Sequence, residues 1–158
     1  MILYHGSNKE IDVIDLSLSR PNKDFGKGFY LSSDKEQAVS FAKFKASSNG
    51  GDPVITAYSF DETVMDSNEL KVKVFTEYSK EWAEFVFANR NSVTGNSVHD
   101  YDIVYGPIAN DRVGVQVLRY IEHLITLEQF LENLRYMKGI TFQYFFGTES
   151  AVERLKKL

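Results

Sequence analysis

The stretch "FGKGFYLS", residues 25 to 32, decides how the rest of the chain is interpreted. Two glycines flank a lysine, and the three residues that follow the second glycine are typical of a β-strand. Glycine weakens a strand and often marks a place where another backbone or a ligand comes close. A second stretch, "LYHGS" at residues 3 to 7, has the same character, since its strand pattern ends in a polar residue and a glycine. We therefore expect both segments to border a close backbone contact or a ligand.

The overall composition indicates a globular protein. A length of 158 residues suits one domain with one core, spanning residues 1–158. Hydrophobic residues make up 43% of the chain and aromatic residues 14%, which disfavours disorder. The net charge of −4 provides no overall basic field, so electrostatic binding to bulk nucleic acid is not indicated.

The sequence contains no pattern typical of a metal site, a disulfide or a membrane span. The chain has no cysteine, which excludes disulfides and thiolate metal sites. Its three histidines lack metal-ligand spacing; they are His5, His99 and His123. No apolar run is long enough to span a membrane, and the first ten residues do not resemble a signal peptide. These features predict a cytoplasmic protein that holds no metal.

Hydrophobic periodicity and turn residues predict a mixture of short strands and helices. Strands are predicted at residues 2–5, 28–32, 54–60, 71–75, 100–107 and 140–148. Helices are predicted at residues 34–46, 76–90, 111–123 and 126–137. Residues 11–24 are predicted to form a loop, and residues 149–158 a terminal helix or a frayed tail. Strands and helices mixed without regular alternation predict an α+β fold.

Four short motifs follow one another in an order that suggests a shared site. A strand ends in His5 and Gly6, and a Gly-Lys-Gly turn then leads into Tyr30. The next helix carries Phe41, and a strand near the C-terminus carries Gln143. Each motif alone has an ordinary structural explanation, so the prediction of a site depends on their order, spacing and context together.

In this order, "LYHGS…FGKGFYLS…AVSFA…FQYFFGT" resembles the diphtheria-toxin-like, or His-Tyr-Glu, class of ADP-ribosyltransferases, which includes the poly(ADP-ribose) polymerases. A wider pattern, "EWAEFVFANR", "HDYDIVYGPIANDRV" and "FQYFFGTESA", resembles DUF3990, a bacterial domain family of unknown function that is placed with the ADP-ribosyltransferase folds. The likeness to DUF3990 runs over nearly the whole chain. The resemblance implies a split β-sheet core with peripheral helices and NAD as substrate.

The resemblance also implies catalytic roles for three residues, which are His5, Tyr30 and Gln143. We expect His5 to donate a hydrogen bond to a ribose hydroxyl. The backbone of Gly6 is expected to pair with the nicotinamide carboxamide, because no side chain obstructs it. Tyr30 would form one aromatic wall around nicotinamide, and Phe41 would form the opposite wall.

Two cationic residues are expected to contact the rest of the cofactor. Arg20 would lie across the phosphates of NAD. Since arginine suits phosphate geometry, Asn89 and Arg90 are also candidates to contact the diphosphate, with a surface salt bridge as the alternative. Lys27 would steer the anionic cofactor toward the site. We expect no contact with a membrane.

The third motif departs from the family pattern, because Gln143 stands where the family has a glutamate. Glutamine can accept a hydrogen bond from a ribose hydroxyl but carries no charge. Restoring the charge with Gln143→Glu is therefore expected to raise kcat. Glu149 is an alternative third residue. The family's carboxamide-binding serine is also replaced, by Ala38.

Three functions remain open at this point. The chain could be a mono-ADP-ribosyltransferase that modifies a protein, a nucleic acid or a small molecule. It could be a degenerate, non-catalytic module that binds NAD or a related nucleotide, or that uses the groove to bind a partner. It could also be an NAD glycohydrolase with water as the acceptor.

Overall fold

Two small β-sheets and five helices make up the computed structural model, which describes residues 1–137 and 139–158. The predicted α+β class is therefore confirmed. The first sheet contains β1 (Ile2–Ser7), β3 (Val54–Phe60) and β7 (Leu155–Lys157) in the order β1-β3-β7, and all of its strand pairs are antiparallel.

The second sheet has the strand order β2-β6-β5-β4. Its strands are β2 (Phe29–Leu31), β4 (Val72–Val74), β5 (Ile103–Pro107) and β6 (Phe142–Phe146). Strand β6 pairs with β2 on one side and β5 on the other, both antiparallel, whereas β4 and β5 are parallel. The last strand predicted from the sequence thus lies inside this sheet.

The helices begin at polar residues whose side chains accept hydrogen bonds from the first turn. They are α1 (Lys35–Asn49), α2 (Lys80–Arg90), α3 (Asp111–Ile121), α4 (Leu127–Arg135) and α5 (Glu149–Val152). Thr126 and Gln129 form a reciprocal capping box at the start of α4. Within the described residues, no helix combines the length and apolar character needed to cross a membrane.

The C-terminal segment differs from the prediction of a helix or a frayed tail. Helix α5 is a single short turn, and β7 then pairs with the edge of β3. The Lys157 ammonium lies 3.2 Å from a carboxylate oxygen of Glu10. Pairing with an open strand edge overrides local helix propensity here. A local sequence pattern cannot predict this contact, because the partner strand is distant in the sequence.

Among the described residues, buried side chains form two clusters, and β6 contributes to both. Phe145 packs with Phe25, Trp82 and Phe130 beneath α2, α3 and α4. Phe146 lies on the opposite face of β6 and packs with residues of the first sheet, including Leu3 and Tyr58. Since successive side chains of a strand point to opposite faces, β6 is covered on both sides.

The two sheets meet at a single backbone bridge between Tyr4 and Ser32. The Tyr4 N–H donates to the Ser32 carbonyl at 2.7 Å, and the Ser32 N–H donates to the Tyr4 carbonyl at 2.9 Å. No second backbone pair joins β1 to β2 in the part of the chain that the structure describes. The candidate site lies beside this junction.

Candidate functional site

A cavity of about 770 Å³ lies beside the Tyr4–Ser32 bridge. This volume falls within the range of roughly 300–1,000 Å³ that is typical of small-molecule sites. Its walls come from β1, β2, β6, α1, the end of α2 and the loops next to these elements. The residues that line it are Tyr4, His5, Gly6, Asn22, Lys23, Asp24, Tyr30, Leu31, Ser32, Gln37, Ala38, Ser40, Phe41, Phe44, Lys45, Arg90, Ile108, Thr141 and Gln143.

His5 is held in one tautomer by the backbone of β2. Its Nδ1 lies 2.8 Å from the Tyr30 carbonyl oxygen, which can only accept, so Nδ1 carries the hydrogen. Burial lowers the pKa of His5 to about 4, and its ring stacks on Phe29. Nε2 of this neutral imidazole is therefore an acceptor. This corrects the expectation that His5 donates to a ribose hydroxyl, because the hydroxyl would instead donate to Nε2.

Gly6 turns its backbone polar groups away from β3. Met1 and Phe60 exchange two hydrogen bonds, so the hydrogen-bonded pairs of this ladder involve the odd-numbered residues of β1. Tyr4 directs its N–H and C=O to Ser32, on the side of β1 opposite β3. Gly6 lies two residues further along the strand, so its N–H and C=O point to the same side as those of Tyr4. No hydrogen bond to either backbone group of Gly6 is found among the described residues. One donor and one acceptor are thus free beside the cavity.

The missing side chain of Gly6 is explained by helix packing. A Cβ atom at this position would lie 2.1 Å from the Ala38 carbonyl oxygen and 3.0 Å from the Ala42 nitrogen. Both of these atoms belong to the backbone of α1, which leaves them little freedom to move. The close backbone contact that the sequence predicts at "LYHGS" is therefore the contact between β1 and α1.

Tyr30 is fixed through its hydroxyl group. The hydroxyl donates to the Gly26 carbonyl oxygen at 2.6 Å and accepts from the Phe25 N–H at 3.0 Å. Burial raises the pKa of Tyr30 well above its ordinary value, so the phenol is neutral. The ring lines the cavity, and the Lys23 ammonium lies 4.6 Å from its centroid.

The Gly-Lys-Gly turn packs against other parts of the protein. Gly26 has a φ of 98°, and a Cβ there would lie 2.1 Å from the Ser97 hydroxyl oxygen. A Cβ on Gly28 would lie 2.2 Å from the Phe145 ring. Lys27 donates its N–H to the Ser97 hydroxyl and does not line the cavity. The two glycines thus satisfy packing rather than the approach of a ligand.

The remaining residues chosen from the sequence occupy different places. Phe41 lines the cavity from α1 and is 45% exposed, and Gln143 lines it from β6. Arg20 is exposed and does not line the cavity, although its charge helps to lower the pKa of Lys23 and of Lys45. Glu149 is exposed in α5 and does not line the cavity.

A buried carboxylate beside Gln143 is the main feature that the sequence did not predict. The Gln143 Nε2 atom donates to Oδ2 of Asp24 at 3.1 Å, and the Ala109 N–H donates to the same oxygen at 2.9 Å. Arg90 binds the other oxygen through Nε and Nη2, each at 2.7 Å. The partners are 66, 85 and 119 residues from Asp24 in the sequence. No local motif could have indicated such a cluster.

Two lysines make the cavity electropositive. Lys23 lies over the Tyr30 ring, and the Lys45 ammonium lies 5.1 Å from the Phe41 ring centroid. Burial, followed by the charges of Lys45 and Arg20, lowers the pKa of Lys23 to about 8. Neither lysine has an ion-pair partner within the described ranges. A partly desolvated ammonium without a carboxylate partner favours an anionic ligand.

Fold and site together define an α+β protein with two small sheets and an electropositive cavity where they meet. A family model described as "Protein of unknown function (DUF3990)" matches residues 1–157, and the chain belongs to this family. The predicted family membership is therefore confirmed. No curated protein and no solved structure gives a significant match to the chain.

Proposed function

We propose that the chain is an NAD-dependent ADP-ribosyltransferase with an ADP-ribosyltransferase-like split-sheet core. It moves ADP-ribose from NAD to an acceptor and releases nicotinamide. The observation that carries this proposal is the convergence of His5, Gly6 and Tyr30 on one cavity, together with the free backbone N–H and C=O of Gly6. The same cavity contains Phe41 and Gln143, which come from distant parts of the chain.

The groups around Gly6 suit nicotinamide. A carboxamide has one acceptor oxygen and an NH₂ donor, which match the free N–H and C=O of Gly6. The Tyr30 and Phe41 rings provide two aromatic surfaces, and stacking of this kind contributes roughly 0.5–1.5 kcal/mol beyond burial. Lys23 lies over the Tyr30 ring, so its ammonium must move aside before nicotinamide stacks there.

The cations near the cavity suit the diphosphate of NAD. Among the described residues, Lys23 and Lys45 line the cavity without a carboxylate ion-pair partner, and the charge of Arg20 helps to lower the pKa of both. A phosphate group would supply the missing anionic partner of each lysine. Lys27 remains a predicted steering residue, but its place outside the cavity lining gives it no direct contact in this proposal.

Group transfer would proceed by cleavage of the bond between ribose C1′ and the nicotinamide nitrogen. The bonding electrons stay with nicotinamide, which leaves as a neutral molecule, and ribose develops oxocarbenium character as in glycoside cleavage. The acceptor's lone pair then bonds to C1′, and the acceptor loses its proton to solvent. His5 Nε2 and Gln143 Oε1 are acceptors that would orient ribose hydroxyl groups.

One observation favours a second candidate, an NAD-binding module without turnover. Among the described residues that line the cavity, Asp24 is the sole carboxylate, and Arg90 is paired with it. No unpaired negative charge is thus available to stabilise the oxocarbenium ion. The loss of such a contact typically lowers a rate by roughly 10²–10³-fold.

The experiment follows both halves of NAD after incubation of the purified chain with a lysate. Free nicotinamide is quantified, and labelled ADP-ribose on macromolecules and small molecules is detected by mass spectrometry. Nicotinamide release with label on an acceptor supports the transferase, whereas release without a labelled acceptor indicates a glycohydrolase. Calorimetric NAD binding with no release in the lysate supports the second candidate, and the absence of binding contradicts both.

A matched pair of histidine variants serves as the control. His5→Asn removes an imidazole from the cavity, whereas His123→Asn removes an exposed imidazole whose φ of 60° asparagine tolerates. We expect NAD binding and turnover to fall in His5→Asn and to stay at the wild-type level in His123→Asn. Equal behaviour of both variants would contradict the assignment of the cavity as the NAD site.

A further inference from the structure

The Asp24 carboxylate uses both of its oxygens inside the protein. Oδ1 accepts from Nε of Arg90 and forms an ion pair with Nη2 at 2.7 Å, and Oδ2 accepts from the Ala109 N–H and from Nε2 of Gln143. The residue is only 9% exposed, although it lines the cavity. Asp24 therefore connects the cavity wall to α2 and to the loop after β5.

This arrangement leaves Gln143 one permitted amide orientation. If the amide were rotated by half a turn, its oxygen would face Oδ2 of Asp24. Both atoms are acceptors and neither carries a hydrogen, so no hydrogen bond could form between them. Because Nε2 is held by Asp24, Oε1 is the remaining polar atom of the side chain. No hydrogen bond to Oε1 is found among the described residues.

We propose that Asp24 is a positioning residue that holds the Gln143 amide with Oε1 available to the ligand in the cavity. The ligand part of this inference rests on the proposed function, in which Oε1 accepts from a ribose hydroxyl. Asp24 also explains why glutamine occupies position 143. A carboxylate at that position would face a second carboxylate at hydrogen-bonding distance.

The expected effect of Gln143→Glu is therefore reversed. An ionised glutamate introduced at this position repels Asp24, and the pKa of one carboxyl group rises as a result. When protonated, the new side chain can donate its O–H to Asp24 and keep its carbonyl oxygen toward the cavity, as glutamine does. The stability and the turnover of the variant should match those of wild type at low pH and fall as the pH rises. It should not exceed the wild-type turnover.

The test compares wild type, Q143E and the double variant D24N/Q143E between about pH 5 and 7.5. The other charged and titratable groups that face position 143 or line the same cavity are Asp24, Arg90, Lys23, Lys45, His5, Tyr4 and Tyr30. In this window His5 is mostly neutral and Lys23 mostly cationic, because their pKa values are about 4 and about 8, and wild type measured at each pH accounts for their remaining titration. A change confined to Q143E then reports the new carboxyl group.

Two quantities are measured for each protein, the thermal midpoint without NAD and the kcat and KM of nicotinamide release. Calorimetric NAD affinity replaces the kinetic constants if no turnover occurs. We expect the stability of Q143E relative to wild type to fall with rising pH, by up to about tenfold in the folding equilibrium for each unit by which the pKa is raised. We expect kcat, or the affinity where no turnover occurs, to fall in parallel. In D24N/Q143E the repelling charge is absent. Its stability relative to wild type and its relative kcat, or affinity, should therefore not depend on pH.

Each outcome bears on the proposal. It is overturned if Q143E is as stable as wild type at every pH, or if Q143E gains turnover. It is also overturned if stability falls while kcat, or the NAD affinity where there is no turnover, stays at the wild-type value. If the stability signature appears but wild type does not bind NAD, the proposed function fails and the pairing of Asp24 with Gln143 stands. If D24N/Q143E does not fold, Q143M provides an uncharged reference, and the stability difference between Q143E and Q143M must still grow with pH.

Discussion

Replacement of Tyr30 by phenylalanine separates two roles of this residue. The ring that faces the cavity is kept, and the hydroxyl that binds Phe25 N–H and Gly26 C=O is lost. Both backbone groups belong to buried residues, and leaving a buried polar group unpaired costs roughly 1–3 kcal/mol. Part of this cost is offset because phenylalanine has no hydroxyl to desolvate. We expect a net loss of about 2–4 kcal/mol in the free energy of unfolding.

Urea unfolding and thermal unfolding measure this loss directly. For a chain of this size, about 1 kcal/mol corresponds to roughly 2–4 °C, so the midpoint should fall by about 5–15 °C. Tyr58→Phe is the matched control, because Tyr58 is only 3% exposed and no hydrogen bond to its hydroxyl is found in the described part of the chain. We expect that variant to stay within about 1 kcal/mol of wild type. Equal losses in the two variants, or wild-type stability of Tyr30→Phe, would refute the reasoning.

Three further predictions concern the cavity walls. Gly6→Ala should destabilise the protein by about 1–3 kcal/mol or more in chemical denaturation, since its Cβ would lie 2.1 Å from the Ala38 carbonyl oxygen. Gly50→Ala measures backbone strain alone, because a Cβ there meets no described atom within 4 Å while its φ of 79° and ψ of 178° lie in a region that essentially only glycine adopts, and it should cost about 1–3 kcal/mol. Phe41→Ala should leave the thermal midpoint nearly unchanged and weaken NAD binding by about 1–3 kcal/mol in calorimetry, and an unchanged affinity would contradict the stacking proposal. The folded-state pKa of His5 is lowered from 6.5 to about 4, so the unfolded chain binds an extra proton between these values and stability should fall by about 3 kcal/mol as the pH drops through this window. His5→Gln should reduce this dependence in unfolding experiments at a series of pH values, and an unaltered dependence would exclude His5 as its source.

The secondary structure was largely predictable because its signals are local. Asp34 and Thr126 cap α1 and α4 at the predicted starts of these helices, and β-branched and aromatic residues mark the strands. Helix α2 begins at Lys80 with Ser79 as its cap, four residues after the predicted start at residue 76. Strand β7 was missed because its three residues pair with β3, which lies almost a hundred residues earlier. Such pairing depends on an available strand edge, and a local pattern contains no information about that edge.

Within the site, the sequence was enough to choose candidate residues, but the roles of these residues depend on contacts made only in the folded chain. Motif order was sufficient to select His5, Tyr30 and Gln143, which the structure brings to one cavity. The acceptor role of His5 depends on which carbonyl binds its other nitrogen, and that partner is visible only in the folded chain. The importance of Asp24 likewise depends on partners that are distant in sequence.

The central position of β6 has a consequence for synthesis on the ribosome. Strands β2 and β5 flank β6, so their facing edges stay unpaired until residues 142–146 have left the exit tunnel. Translation proceeds at roughly 5–20 residues per second, and unpaired strand edges are sites of aggregation during that interval. Pairing of β2 with β6 also closes a loop of more than a hundred residues, which slows folding. The nascent chain therefore acquires Gln143, the final wall of its cavity, in the same step that pairs the facing edges of β2 and β5.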